Sequence, residues 1–357
     1  MLQRPQHLMT RAARDRRVWF VEEPVRGPRL TLNRRVTPEG VNVCVPEVPE
    51  GLGAEETETC VAGLLAELVH EARIQEPTAW LYTPMMLPLA DVLAPRVVVY
   101  DCMDELAAFK FAPPEILFRE RSLFQKADLV FTGGRSLWEA KRGAHPEVHC
   151  FPSSVDVAHF GRARTPHDEP PEITLARRPR LGWVGVVDER MDVELLGELA
   201  RRRPDWSIVV VGPVVKIDPA TLPEAENLHF VGPRDYAHLP AFLHHFDVAI
   251  MPFAQNDATR FISPTKTPEF LAAGLPVVST PVRDVVRDYG QRGLVHIADT
   301  TDAFVAACEK ALTEKHDAER LRAVDAALAE LSWDDTWKRM DQLIEAAESR
   351  AMARSAK

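Results

Sequence analysis

The stretch Ser263–Glu269, which reads SPTKTPE, holds the densest set of side chains able to do chemistry. Ser263 and Thr265 can donate hydrogen bonds to phosphate oxygens, and Lys266 supplies a mobile positive charge suited to a diphosphate. Glu269 can accept hydrogen bonds from a pair of sugar hydroxyls. Pro268 suits the first turn of a helix and Gly274 its end, so Pro264 and its neighbours form a loop feeding a helix N-terminus. The free N–H groups there favour an anion. The plainer alternative is that Glu269 complements the helix dipole and Lys266 is solvated. A second cluster, Asp101-Cys102-Met103-Asp104-Glu105, follows the apolar run VVVY. Asp101 and Asp104 could act as general base toward a hydroxyl or stabilise a cationic transition state. They could equally cap a helix. Gly133 and Gly134 follow LVFT, where glycine lets a backbone approach a ligand or simply turn tightly. His7 is either a substrate contact or a structural histidine.

These residues must be positioned by strands, and the strands are short, apolar and separated by helical stretches. Val18–Val21, Ala79–Tyr82, Val97–Tyr100, Leu129–Thr132 and His149–Pro152 read as one series. Arg180–Val184, Trp206–Val211, Leu228–Val231, Val248–Met251, Val277–Ser279 and Leu294–Ile297 read as another. Helical patterns such as Thr57–Arg73, Val193–Arg203 and Leu239–His245 fall between. That alternation implies parallel sheets covered on both faces. Ligands in such sheets bind beyond the C-terminal ends of the strands, where Asp101 and the Ser263 loop fall. Between the series, GRARTPHDEPPEITLARRP is rich in proline and charge and reads as a linker that builds no core. The division expected is an N-terminal domain over 1–162, a linker over 163–179, a C-terminal domain over 180–330 and a terminal helical segment over 331–357. Trp333 and Trp337 share one face of that segment. It either packs on its own domain or crosses back to clamp the two.

Composition narrows the classes. A chain of 357 residues fits two domains of middling size, and 46% hydrophobic with 27% charged residues is ordinary for a globular protein. A net charge of −10 argues against a nucleic-acid binder. Arg4, Arg11, Arg14, Arg16 and Arg17 crowd the N-terminus, either as a solvated helix or as a surface for anionic lipid or a phosphate-bearing substrate. The five cysteines are dispersed without a CxxC pair, which argues against a disulfide framework or structural zinc and for a reducing cytoplasm. No apolar run is long enough to span a bilayer, so a membrane contact would be peripheral, on the inner face.

The run SPTKTPEFLAAGLPVVST resembles the donor-binding segment of bacterial GT-B glycosyltransferases, the group 1 or family-four-like kind. Lys266, Glu269, Ala272, Ala273, Gly274, Pro276, Val277 and Val278 carry the match. HFDVAIMPF, NLHFVGPRDYAHLPAFL, FPSSVDVAHF and LGWVGVVDERMDVELLGELA are similar to further segments of that family, in the same order. QRPQHL and YDCMDE make the pattern more similar to the subgroup that makes bacterial surface polysaccharides. The resemblance implies two tandem Rossmann-like domains with a cleft between them and a C-terminal helix crossing back. It implies transfer of a sugar from a nucleotide-diphosphate sugar to a saccharide or lipid-linked acceptor, with no metal or other cofactor. The DxD pair of the other main glycosyltransferase fold is absent. Ser263, Pro264, Thr265, Lys266, Glu269, Gly185, Gly232 and Pro233 become donor-side residues, with Arg190 standing in for a family lysine. Asp101 and Asp104 become catalytic, and His7, Gly133 and Gly134 acceptor-side.

Two departures stand out. The carboxylate that many members carry eight residues before Glu269 is Phe261 here, so its role is lost or moved to Asn256 or Asp257. The chain also opens at QRPQHLMTRAA, at a loop-to-helix junction, without the strand the family places before it. The expectation is a late start or a truncation, with the two strands beside the missing one losing ladder partners and stability. Three readings stay open: an active transferase, an epimerase on the same fold, or a nucleotide-sugar-binding homologue without turnover.

Overall fold

The computed structural model describes residues 3–355. Met1, Leu2, Ala356 and Lys357, the outermost residues of the expected terminal segments, lie outside the described residues.

The N-terminal half begins with helix α1 (Arg4–Ala12) and then builds β1 (Trp19–Val21), β2 (Val25–Gly27), β3 (Thr31–Val36) and β4 (Asn42–Pro49). Helix α2 (Ala54–Glu71) leads to β5 (Thr78–Leu81), α3 (Leu87–Val92), β6 (Val97–Cys102) and α4 (Ile116–Lys126). The half closes with β7 (Leu129–Thr132), α5 (Arg135–Lys141), β8 (Val148–Cys150) and α6 (Val157–Gly161). β5, β6, β7 and β8 pair in that order, all parallel. β6 and β7 are buried along their whole length, as strands covered on both faces must be.

Three of the first four strands were not anticipated. β2, β3 and β4 lie in 25–49, and β3 pairs antiparallel with β4 along Thr31–Val36. The signal was present as apolar alternation in VNVCVPEV, but Pro46 and Pro49 interrupt it and suggest loop.

The N-terminal sheet is divided. β1 pairs only with β4, and β5 only with β6, among the described residues. The rings of Phe20 and Tyr82 on the two inner edges lie 6.4 Å apart, yet no ladder joins them. Trp19 Nε1 and Tyr82 Oη are buried there without a partner. Unpaired buried polar groups of this kind weaken a sheet relative to a continuous one.

The C-terminal half is a single six-stranded parallel sheet, built from β9 (Arg180–Val184), β10 (Ser207–Val211), β11 (Leu228–Gly232), β12 (Val248–Met251), β13 (Val277–Ser279) and β14 (His296–Ile297). Its order is β11-β10-β9-β12-β13-β14. The order reverses between β9 and β12, the switch point at which open sheets bind ligands. Around the sheet lie α7 (Val193–Arg202), α8 (Leu239–His244), α9 (Lys266–Ala272), α10 (Arg283–Val285), α11 (Thr301–Leu312) and α12 (Ala318–Leu328). Asp192 and Thr300 cap α7 and α11 by accepting from Leu195 and Ala303 N–H.

One expectation about the connections changes. The proline-rich segment does contribute to a core: Ala163, Ile173 and Ala176 are buried against the C-terminal sheet's cluster. Three small or apolar residues at turn positions suffice for this. The last helix, α13 (Trp333–Ser355), belongs to the other half. Trp333, Trp337, Met340 and Ile344 pack with Leu8, Val97, Leu129 and Phe131. Trp337 lies 6.1 Å from the Trp80 ring. The crossing helix also absorbs the N-terminal arginines. Arg11 and Arg14 pair with Asp334, and Arg16 pairs with Asp341 and Glu348. Those three arginines therefore clamp the last helix to the N-terminal half, and Arg4 is taken by Asp101.

The halves also meet across the cleft. Asp284 accepts from Ser136 N–H, and Arg283 and Arg287 both reach Glu139 of α5. Glu139→Ala removes both of these cross-cleft ion pairs, each worth ~0.2–1 kcal/mol, along with a weaker contact to Arg135 on its own helix. The expected result is a larger radius of gyration in solution X-ray scattering. An unchanged value would mean that these pairs do not hold the halves together.

Candidate functional site

A cavity of about 210 Å³ lies between the halves. The N-terminal half contributes Arg4, His7, Met103, Asp104 and Gly133, the connection contributes Ser153–Asp156, and the C-terminal half supplies Gly185, Asp188, Arg190, Ser263, Pro264, Thr265, Lys266 and Glu269. Trp333 of the crossing helix completes the wall.

The Ser263 loop leaves β12 at the switch point and enters α9, a seven-residue helix whose residues are all buried. Gly274 ends it with φ +83, a conformation glycine adopts without steric cost. Lys266 and Glu269 lie one turn apart and pair at 2.5 Å. Burial pushes the Glu269 carboxyl above its ordinary range, while the Lys266 ammonium pulls it back. Arg190 is held by Asp188 through three side-chain contacts of 2.6–3.1 Å. Its guanidinium also sits over the Phe109 ring of the N-terminal half.

Asp101 and Asp104 have different fates. Asp104 lines the cavity, but Asp101 is fully buried outside it. Arg4 covers Asp101 with contacts of 2.9–3.1 Å and also donates to the Phe151 carbonyl at 2.6 Å. A carboxylate so engaged is a structural anchor for α1, which corrects its assignment as a catalytic base. Asp104 is pushed up to about 6, chiefly by burial; Asp188 raises it further, and Arg190 and Arg4 oppose. The folded protein therefore holds this proton at pH values where the unfolded chain has lost it, and the group favours the fold less as pH rises through about 6. As a base it works only when ionised. The expected kcat/KM falls about tenfold per pH unit below about 6 and is flat above it. A pH–rate profile without that limb would remove Asp104 from the proton transfer.

The other expected residues divide as well. His7 lines the cavity and stacks on Trp333 at 4.8 Å; burial lowers it to about 4, so it is neutral near pH 7. Gly133 lines the cavity, where a Cβ would collide with the Met103 backbone at 2.3 Å. Gly134 does not line it, and a Cβ there would meet Ser263 and Asp284 at 2.6 Å, so its smallness serves the contact between halves. Gly232 and Pro233 are away from the cavity lining; Gly232 has φ +80 and makes the turn after β11. Phe261 packs on the apolar cluster of the N-terminal half, and Asn256 caps the turn at 257–259 while donating to the Glu189 carbonyl. Neither Asn256 nor Asp257 lines the cavity, so the carboxylate absent at Phe261 is not replaced from there.

Sequence reasoning missed Arg4, Ser154, Asp156, Trp183 and Asp188 as lining residues. Asp156 and Asp188 lie inside segments already singled out, but only the fold shows that both reach the cavity.

Two parallel-sheet halves facing across a cleft, with a last helix returning to the first half, define the GT-B fold. Solved structures agree. Sucrose-phosphate synthase from Thermosynechococcus elongatus superposes with a TM-score of 0.72 at 16% identity, over 97% of this chain and 92% of that one. An E. coli structure described as trehalose-6-phosphate bound with UDP-2-fluoro glucose gives 0.69 at 12%, over 97% and 96%. Anabaena Alr3699/HepE in complex with UDP-glucose gives 0.65 at 13%, over 86% and 87%. Residues 178–314 match the family Glycosyl transferases group 1, and the chain has the GT-B fold. It is 26% identical over 256 residues to a Bacillus subtilis (strain 168) protein named as the teichuronic acid biosynthesis glycosyltransferase TuaH. The match covers 67% of this chain and 64% of that relative, so the chain spans less than two thirds of the relative's length.

Proposed function

We propose that this protein transfers a sugar from a nucleotide-diphosphate sugar to the hydroxyl of a saccharide or lipid-linked acceptor, without a metal, in making a bacterial surface polysaccharide or glycolipid. One observation carries the reading: Lys266 and Glu269 line the same cavity as Asp104, from opposite halves of the fold. The C-terminal half takes the donor, with Lys266 on the diphosphate and Glu269 on the ribose hydroxyls. Ser263 and Thr265 add donors to the phosphate oxygens. Lys266 offsets leaving-group charge. Asp104, ionised above about pH 6, takes the proton of the acceptor hydroxyl. Arg190 steadies the donor-side loop through Asp188, and His7 with Gly133 shapes the acceptor side. This places the work in the cytoplasm, where nucleotide sugars are made. The relative named for teichuronic acid biosynthesis supports an anionic polysaccharide context.

The test is a panel of UDP-, GDP- and dTDP-sugars, read by thermal shift and then by nucleotide release with and without metal chelator. A bound donor raises the melting temperature by mass action. Release that vanishes with chelator would overturn the metal-free reading. The packing of Phe261 on the N-terminal half favours a second reading, binding without turnover. Stabilisation by a donor with no release on any acceptor would establish it.

A further inference from the structure

Three apolar side chains on one short stretch of the N-terminal half stand in solvent: Phe111 is 76% exposed, Leu117 51% and Phe118 70%. Phe111 and Phe118 are the exposed phenylalanines among the described residues, and no tryptophan joins them. Phe111 also has φ +65, a left-handed backbone that a bulky residue rarely adopts. The surrounding turn imposes it, with Ala112 N–H donating to Phe109 O at 3.1 Å and Lys110 N–H to Glu189 at 3.0 Å. The turn thus holds Phe111 in a strained backbone with its ring exposed. On α4, Leu117, Phe118 and Arg121 face outward, while Ile116, Glu120, Leu123 and Phe124 face the core.

The charges around these rings are distinctive. Lys110 and Arg121 are exposed and have no carboxylate partner among the described residues. Arg119 between them is taken by Glu58, and Glu120 by Lys141. Glu115 is the one exposed carboxylate on the stretch. The surface is a protruding loop and helix start. Three side chains offer roughly half of the ~800 Å² per partner that a stable protein interface buries. Insertion at a lipid boundary needs no more than those side chains, with flanking cations left at anionic headgroups.

We propose that Lys110, Phe111, Leu117, Phe118 and Arg121 form a docking surface for an anionic lipid bilayer. Lys110 and Phe109 touch the cleft-side loop at Glu189 and Arg190, so a docked protein has its cleft mouth beside the membrane. The proposal stands on this surface alone and does not depend on the chemistry assigned to the cavity.

The test is flotation of the full chain with vesicles of phosphatidylcholine, with and without 30% phosphatidylglycerol. The fraction bound is expected to rise at least tenfold with the anionic lipid. Phe111→Ser/Leu117→Ser/Phe118→Ser and, separately, Lys110→Ser/Arg121→Ser are each expected to lower it at least fivefold. Both sets change exposed side chains, and donor-induced thermal shift reports that the fold and donor site persist. Failure of the wild type to float with anionic vesicles, or flotation of either variant equal to that of the wild type, overturns the proposal. So does a wild-type dimer in light scattering that the triple variant dissociates, which would assign the surface to a second copy of the chain.

Discussion

Lys266→Ala is expected to lower kcat/KM for sugar transfer by at least ~100-fold, about 2.7 kcal/mol of transition-state stabilisation. The reason is geometric. Lys266 is the cation at the start of α9, it lines the cavity, and its ammonium is held in place by Glu269 at 2.5 Å. Arg4 and Arg190, the other cations of the lining, are committed to Asp101 and Asp188. Neither is free to replace it. Burial already pushes Glu269 upward, so without its cation that carboxyl takes up a proton instead of standing as a lone buried charge. The fold should therefore survive, and Glu269→Gln should weaken donor binding with a similarly small change in melting. Steady-state nucleotide release, paired with calorimetric titration of the nucleotide, checks both. Full activity in the Lys266 variant would reduce the pair to a structural contact within α9.

The largest stability effect is expected at Arg4. Arg4 and Asp101 are both buried, joined by a bidentate contact, and Arg4 also satisfies the Phe151 carbonyl. Removing one partner of a buried pair strands the other, at about 3–5 kcal/mol. Arg4→Ala should lower the melting temperature accordingly, whereas Arg4→Met with Asp101→Leu should recover most of the loss. The pH dependence has a definite sign. Burial holds the Asp101 carboxyl above its ordinary range even with Arg4 present, and losing Arg4 raises it further. A folded-state pKa above the unfolded value means stability is lost as pH rises, so the Arg4→Ala deficit should shrink on acidification toward the ordinary carboxylate range. Differential scanning calorimetry from mildly acidic to neutral pH tests this. A deficit independent of pH would show that lost packing of α1 dominates.

Much of the C-terminal side of the cavity was legible before the fold was known. Lys266, Glu269 and Gly274 lie within one continuous segment, so their spacing along a single loop and helix defines their relation. β9, β12 and β13 were legible to the residue because fully buried parallel strands are unbroken apolar runs. β2, β3 and β4 were not, since their pattern is broken by proline and partly exposed. The two acidic candidates illustrate the limit. Asp101 and Asp104 look interchangeable in sequence, and only the position of Arg4, 97 residues earlier, separates an anchor from a cavity carboxylate.

By itself, the sequence determined the α/β class, the two parallel-sheet series and the loop that opens α9, because each depends on local period, caps and contiguous residues. The tertiary structure alone decided which residues share the cavity, that the N-terminal arginines close on the returning helix, and that Phe261 is a contact between halves. Those outcomes rest on charge pairing and packing between segments far apart in the chain, and local sequence carries no record of who meets whom.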